Sequence, residues 1–227
     1  MKVRIKFSKH GVLKYIGHLD LMRYFQKAFR RTDIDVLYSK GFSPHMIMSF
    51  AQPLGVGVES DGEYFDVEVA DDENVSTIVE RLNVEMAEGI AIHDAIILPE
   101  KTINAMASVA AAAYEIHFHK SSPLSNELME KYESTDNVEF IKVTKTGEHP
   151  INVKDFVFEI SIKDSDTLFA VVDCSSAGNL KPSTLVTSLL SLNNLDVNDY
   201  PYHVTRKETY KRTQDNKLVP LNFIDEE

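Results

Sequence analysis

The sequence predicts an α+β protein in which one order of elements, β-α-β-β-α-β with antiparallel sheets, occurs twice. Three observations lead there. Short stretches alternate apolar and polar residues, the period of a half-buried strand. They are interleaved with longer stretches whose apolar residues return every three or four positions, the period of an amphipathic helix. The order of these two periods in residues 1–99 recurs in residues 107–227, although the halves share no visible identity. A chain of 227 residues has room for two such units of about 100 residues.

In the first half, Val3, Ile5 and Phe7 alternate with Arg4, Lys6 and Ser8 and predict a strand. A helix follows in "HLDLMRYFQKAFRRT": Leu21, Met22, Phe25, Ala28 and Phe29 share one face, and Arg23, Lys27, Arg30 and Arg31 take the other. Asp20 falls in its first turn, where the helix dipole favours a carboxylate. "DVLYS" reads as a short second strand that "MIMSF" extends or pairs with. "EYFDVEVA" alternates as a strand, Asn74 caps a helix carrying Val75, Ile78, Val79 and Leu82, and "IAIHDAIIL" is a strand ended by Pro99.

In the second half a strand is expected over Tyr114–Phe118. "SPLSNELMEKYES" is a helix with Ser122 as cap and Pro123 in its first turn. "VEFIKVT" is a strand and Gly147–Pro150 a turn. "KDFVFEISIKD" and "TLFAVVDC" form a hairpin, "KPSTLVTSLLSLNN" a helix, and "YPYHVTRKETYKR" a final strand that turns basic. Each half thus has the order of a ferredoxin-like unit, so the expected fold is two such units in tandem, joined near residues 100–107.

Composition bounds the function. No apolar run is long enough to span a membrane, and "MKVRIKFSKH" lacks the apolar centre of a signal peptide. The lone Cys174 allows no internal disulfide, and a cytoplasmic location is expected. One thiolate also cannot hold an iron–sulfur cluster or a cysteine-rich zinc site. No cofactor or metal is expected, and no glycine-rich phosphate loop, nucleophile elbow or HExxH motif occurs. The net charge of −11 is polarised: residues 1–50 carry ten Lys and Arg against three Asp and Glu. A polarised protein can present a basic face to nucleic acid despite its acidic total.

Three groups of residues are candidates for chemistry. One is the segment Tyr38, Lys40, Gly41, Phe42, Pro44, His45, Ser49 and Phe50. There Gly41 and Pro44 shape a loop that presents Lys, Ser and His to a phosphate or carboxylate. Another is "GHLD", where free backbone N–H groups at a helix start attract anions and His18 and Asp20 add side chains. Convergence of His18 and His45 on one cleft is a hypothesis of this reading. The third is basic: Arg23, Lys27, Arg30 and Arg31 on the first helix, and Arg206, Lys207, Lys211 and Arg212 in the last strand, all suited to phosphate contacts. His93, His117, His119, Cys174, Glu59 and Glu63 read as structural.

Over residues 3–69 the motifs "HLDLMR", "YSKGFSPH", "SF", "PLGVGVES" and "EYFD" resemble the radical-SAM-linked family, an uncharacterised bacterial domain fused to or encoded beside radical-SAM proteins. The resemblance implies a non-catalytic accessory that binds the substrate, RNA or another anion, for a radical-SAM partner. The thiolate ligands would then belong to that partner. A fainter, architectural resemblance is to the repeat-processing RNA endonucleases of CRISPR systems, in which a histidine is general base on a ribose 2′-hydroxyl. It implies the alternative of a metal-independent endonuclease. The chain departs from those enzymes: the only glycines after Gly89 are Gly147 and Gly178, so its C-terminal half has no glycine-rich loop.

Overall fold

The computed structural model describes residues 1–119, 121–144 and 147–224. In chain order the elements are β1 (Lys2–Lys9), α1 (His18–Phe29), β2 (Met48–Phe50), β3 (Glu59–Glu68), α2 (Val75–Glu85), β4 (Ile90–Ile97), α3 (Ala105–Ser108) and β5 (Ala111–Phe118). They continue with α4 (Asn126–Ser134), β6 (Glu139–Thr144), β7 (Gly147–Asn152), β8 (Val157–Ile162), β9 (Thr167–Asp173), α5 (Pro182–Leu192), β10 (Tyr202–Arg212) and β11 (Leu218–Pro220). The protein is a mixed α+β fold whose sheets are mostly antiparallel. Its contacts divide it into Met1–Ala110 with Glu208–Glu227, and Ala111–Lys207.

In the first unit β1 lies between β3 and β4, antiparallel to both, with Ile5 opposite Phe65 and Val3 opposite Ile97. The odd positions of β1 face the core, where Phe7 meets Phe25 of α1 at 4.9 Å and Phe65 meets the same ring at 4.8 Å. Ile78 and Leu82 of α2 are buried in that core. Asn74 caps α2 as expected, its side-chain oxygen accepting from Ser76 N at 2.9 Å. The second strand differs from the expectation. Residues 36–38 make only isolated bridges, Val36 to Val69 and Tyr38 to Met46, and the strand proper is β2, antiparallel to β3. The backbone bonds explain it: Leu37 N donates to Glu68 O, Ile47 N to Leu37 O and Glu68 N to Ile47 O, so the two segments share one edge in short pieces.

Several even positions of β1 and β3 are polar and also buried: Arg4, Ser8, Ser60, Tyr64 and Asp66. Arg4 donates from Nε and Nη2 to the two Asp66 carboxylate oxygens at 2.7 and 3.1 Å, and from Nη1 to Leu221 O at 3.0 Å. Asp66 Oδ2 also accepts from Ala105 N at 2.7 Å. Tyr64 donates to Glu208 Oε1 at 2.7 Å, and Lys6 reaches the other oxygen of that carboxylate at 2.6 Å. This network explains why residues 208–227, placed by the sequence reading within a unit of 107–227, count with the first unit: their polar partners are Arg4, Lys6 and Tyr64.

In the second unit β9 lies between β5 and β8, antiparallel to both, and β5 also neighbours β10. Helix α4 starts three residues later than expected, because Ser125, not Ser122, caps it by accepting from Leu128 N. Ser122 instead accepts from Leu124 N. Pro182 opens α5 at the position where a missing N–H costs nothing. The expected turn Gly147–Pro150 is strand: β6 and β7 form their own hairpin, with Ile141 opposite Pro150. Proline at a two-stranded ladder's edge removes no obligatory bond, so the strand tolerates it.

Candidate functional site

The segment from Tyr38 to Met46 is a closed loop. Ser39 N donates to His45 O at 2.8 Å, His45 N donates to Ser39 Oγ at 3.1 Å, and that hydroxyl lies 2.9 Å from His45 Nδ1. These bonds close the base of the loop, leaving Lys40, Gly41, Phe42, Ser43 and Pro44 exposed at its tip. Gly41 has φ +117°, a conformation that side chains disfavour, which is the physical reason for glycine there. Phe42 is exposed over its whole side chain. A lone exposed apolar residue is ordinary. A phenylalanine held clear of the protein on a hydrogen-bonded loop, with a lysine two residues before it, is a more particular arrangement.

His45 and Ser49 line a cavity of about 240 Å³ together with Lys2, Met48, Asp66 and Asn104. The cavity lies against the polar face of β3, since Ser49 pairs with Asp66 in the β2–β3 register. It brings together two of the residues expected at a binding loop. His18 and Asp20 are not among its lining residues.

His18 begins α1 after Gly17, and its ring meets Phe50 edge-on at 5.5 Å. Burial, and then the nearby Lys9 ammonium, push its pKa below the ordinary value. Beneath it lies a buried polar group that sequence reasoning missed: Lys9 donates to Ile16 O at 3.3 Å, and Ser60 Oγ donates to Glu63 Oε1 at 2.7 Å. Glu63 and Tyr64 of the "EYFD" motif are therefore interior residues. Phe50, expected to pack on a ligand, is interior too, stacked on Phe65 at 5.0 Å.

The basic groups separate by burial and pairing. Lys27 and Arg30 are exposed on α1, Arg23 pairs with Asp20 at 3.3 Å, and Arg31 pairs with Glu85. Arg206 requires a correction. It is buried, donates from Nε to Tyr114 OH at 3.1 Å and lies over that ring at 5.5 Å, so it is placed to hold the second unit's interior and not a phosphate. Lys207 lies 3.7 Å from Glu115, Lys211 is half-buried, and exposed Arg212 donates to Asn216. Among the described residues no group of three or more His, Cys, Asp or Glu is arranged to hold a metal ion.

Residues 2–182 match the family described as "Uncharacterized protein conserved in bacteria (DUF2344)". The chain belongs to this family. It is an uncharacterised bacterial domain family, as the motifs of residues 3–69 led one to expect at that level. No curated protein matches the sequence. Two solved structures are similar. One is a chain of "Crystal Structure of a Cbf5-Nop10-Gar1 Complex", 13% identical with a TM-score of 0.48, covering 93% of this chain and 50% of that one. The other is a chain of "Structure of H/ACA RNP bound to a substrate RNA containing 2'-deoxyuridine", 12% identical with a TM-score of 0.46, covering 91% and 47%. This DUF2344 chain thus spans about half the length of the solved chains it resembles.

Proposed function

We propose that this DUF2344 protein is a non-catalytic accessory that binds RNA, or another anionic substrate, for a radical-SAM enzyme. The observation that carries the binding reading is the Ser39–His45 loop, closed by three hydrogen-bonded contacts and presenting Lys40 and a fully exposed Phe42. Lysine is a point charge for phosphate, and an exposed aromatic ring stacks on an unpaired base. His45 and Ser49 extend the site into the adjoining cavity, and exposed Lys27 and Arg30 add a diffuse attraction. The radical-SAM partner follows from the motif resemblance alone, and the single cysteine fits a division in which the partner supplies the cluster ligands. We read both units as ferredoxin-like. The pairing orders β4-β1-β3-β2 and β10-β5-β9-β8 support this, with the β6–β7 hairpin inserted in the second.

The test is binding of pooled cellular small RNA at two salt concentrations by the wild-type chain and by a Lys40→Ala/His45→Ala variant. Binding that weakens with salt, is reduced in the variant and leaves the RNA intact supports the reading. Unchanged binding in the variant overturns the assignment to the loop. Cleavage that disappears in His18→Ala or His45→Ala would replace the accessory role with that of an endonuclease. Co-elution with a radical-SAM enzyme encoded beside the protein tests the partner separately.

A further inference from the structure

The second unit carries a stack of three imidazoles. His117 and His119 alternate along β5 with Ile116 and Phe118, which are buried, so the two histidines share the strand's other face. His203 of β10 enters between them. Its ring centroid is 4.8 Å from that of His117 and 4.9 Å from that of His119, and the interplanar angles are 18° and 22°. The far end is anchored: His117 Nδ1 lies 2.9 Å from Thr167 Oγ1, and its Nε2 lies 3.6 Å from Glu115. The near end is open, because His119 is exposed.

Three near-parallel rings ending in an exposed one form a platform for a further ring. We propose that it is a binding site for the unpaired base of a single-stranded nucleic acid, which continues the stack on His119. Charge does not recommend the face to a polyanion in general. Lys163 and Lys207 approach Glu115, while Asp166 accepts from Thr167 and Asp164 lies at the adjoining turn, so acidic side chains match the basic ones. Recognition here is by ring stacking, which every base offers and a duplex conceals. The rings are not a metal clamp. His119 Nε2 and His203 Nδ1 are hydrogen-bonded to each other at 3.3 Å, and among the described residues no third His, Cys, Asp or Glu joins them in a group that could hold a metal ion.

The site is independent of the loop in the first unit, and salt separates the two. The loop and the basic helix face use charge and lose affinity as salt rises; a stacking site keeps it. The experiment is fluorescence anisotropy of a labelled oligoadenylate strand at high salt, with the full chain and its His119→Ala, His119→Phe and Lys40→Ala/His45→Ala variants. Thermal unfolding of each variant runs alongside. We expect His119→Ala to weaken binding about tenfold, His119→Phe to restore it, and the loop variant to leave it unchanged. A duplex of the same sequence should bind poorly. Wild-type affinity in His119→Ala, failure of a normally folded His119→Phe to restore it, or equal affinity for the duplex would overturn the inference. Salt-sensitive binding lost only in the loop variant would leave the loop reading standing alone.

Discussion

Arg4 shows how one side chain constrains three segments. Its guanidinium donates to both oxygens of Asp66, to Leu221 O and to Ile103 O at 3.1 Å, and almost none of it is accessible. A buried ion pair adds little net stability over an apolar pair of the same shape, but removing one partner strands the other. Asp66→Ala is therefore expected to destabilise the first unit by about 3–5 kcal/mol in denaturant unfolding. The double change Arg4→Met/Asp66→Leu should recover only part of the loss, because it also removes the bonds to Leu221 O, Ile103 O and Ala105 N; full recovery would mean that these three bonds add nothing to stability. The sequence placed these residues correctly on the outward period of two strands, but that period by itself reads as solvent-facing. What buries them, residues 103–105 and 221, lies far away in the chain and leaves no local mark. Arg206 misleads for the same reason: a basic run at the end of a strand looks like surface, and only the position of Tyr114 makes it interior.

At the scale of the element, the start of α1 couples a motif to acid stability. His18 sits half-buried against Phe50 above Lys9, and its pKa is lowered by burial and by that ammonium. The folded state then binds this proton less readily than the unfolded state. At pH above 6.5 both forms are neutral and His18 has no effect; as pH falls below it, the unfolded chain gains the proton first and stability drops. Unfolding midpoints at pH 7.5 and pH 5.5, chosen as about one unit either side of the ordinary histidine value, should differ more for the wild type than for His18→Asn. An equal difference would remove His18 from the acid response. The helices were legible because 3.6-residue periodicity over eleven or twelve positions is a strong signal. The edge strands were not. Residues 35–39 and 46–50 are equally short and apolar, and their division between bridge and strand depends on which backbone groups β3 offers. β7 was hidden because Gly147 and Pro150 signal a turn wherever they occur. The histidine platform was half legible: His117 and His119 are two apart and so share a strand face, while the arrival of His203 from a distant strand is a fact of topology.

The whole molecule poses the question of where its C-terminal segment belongs. β10 runs from Tyr202 to Arg212, and the division between units falls within it, after Lys207. Beyond that point Thr209 Oγ1 donates to Gly62 O at 2.8 Å, Leu221 N donates to Thr209 O, and Asn222 donates to Asp94 Oδ2 at 2.6 Å while its Oδ1 lies 3.1 Å from Tyr64 OH. Leu221 itself is buried. A strand's pattern of side chains says which face is inward, not which neighbour each half of it will find, so the sequence assigned the whole tail to the second unit. Ending the chain after Arg212 removes β11, the burial of Leu221 and the bonds of Asn222, and leaves Tyr64 and Arg4 each short of a partner. Burial of one leucine alone contributes about 1.5–3 kcal/mol, and the unsatisfied groups add to the loss. Hydrogen exchange should then report faster exchange in residues 1–110, with protection in residues 111–207 retained. Equal loss of protection in both spans, or loss confined to residues 111–207, would show that the segment does not stabilise the first unit in the way its hydrogen bonds require.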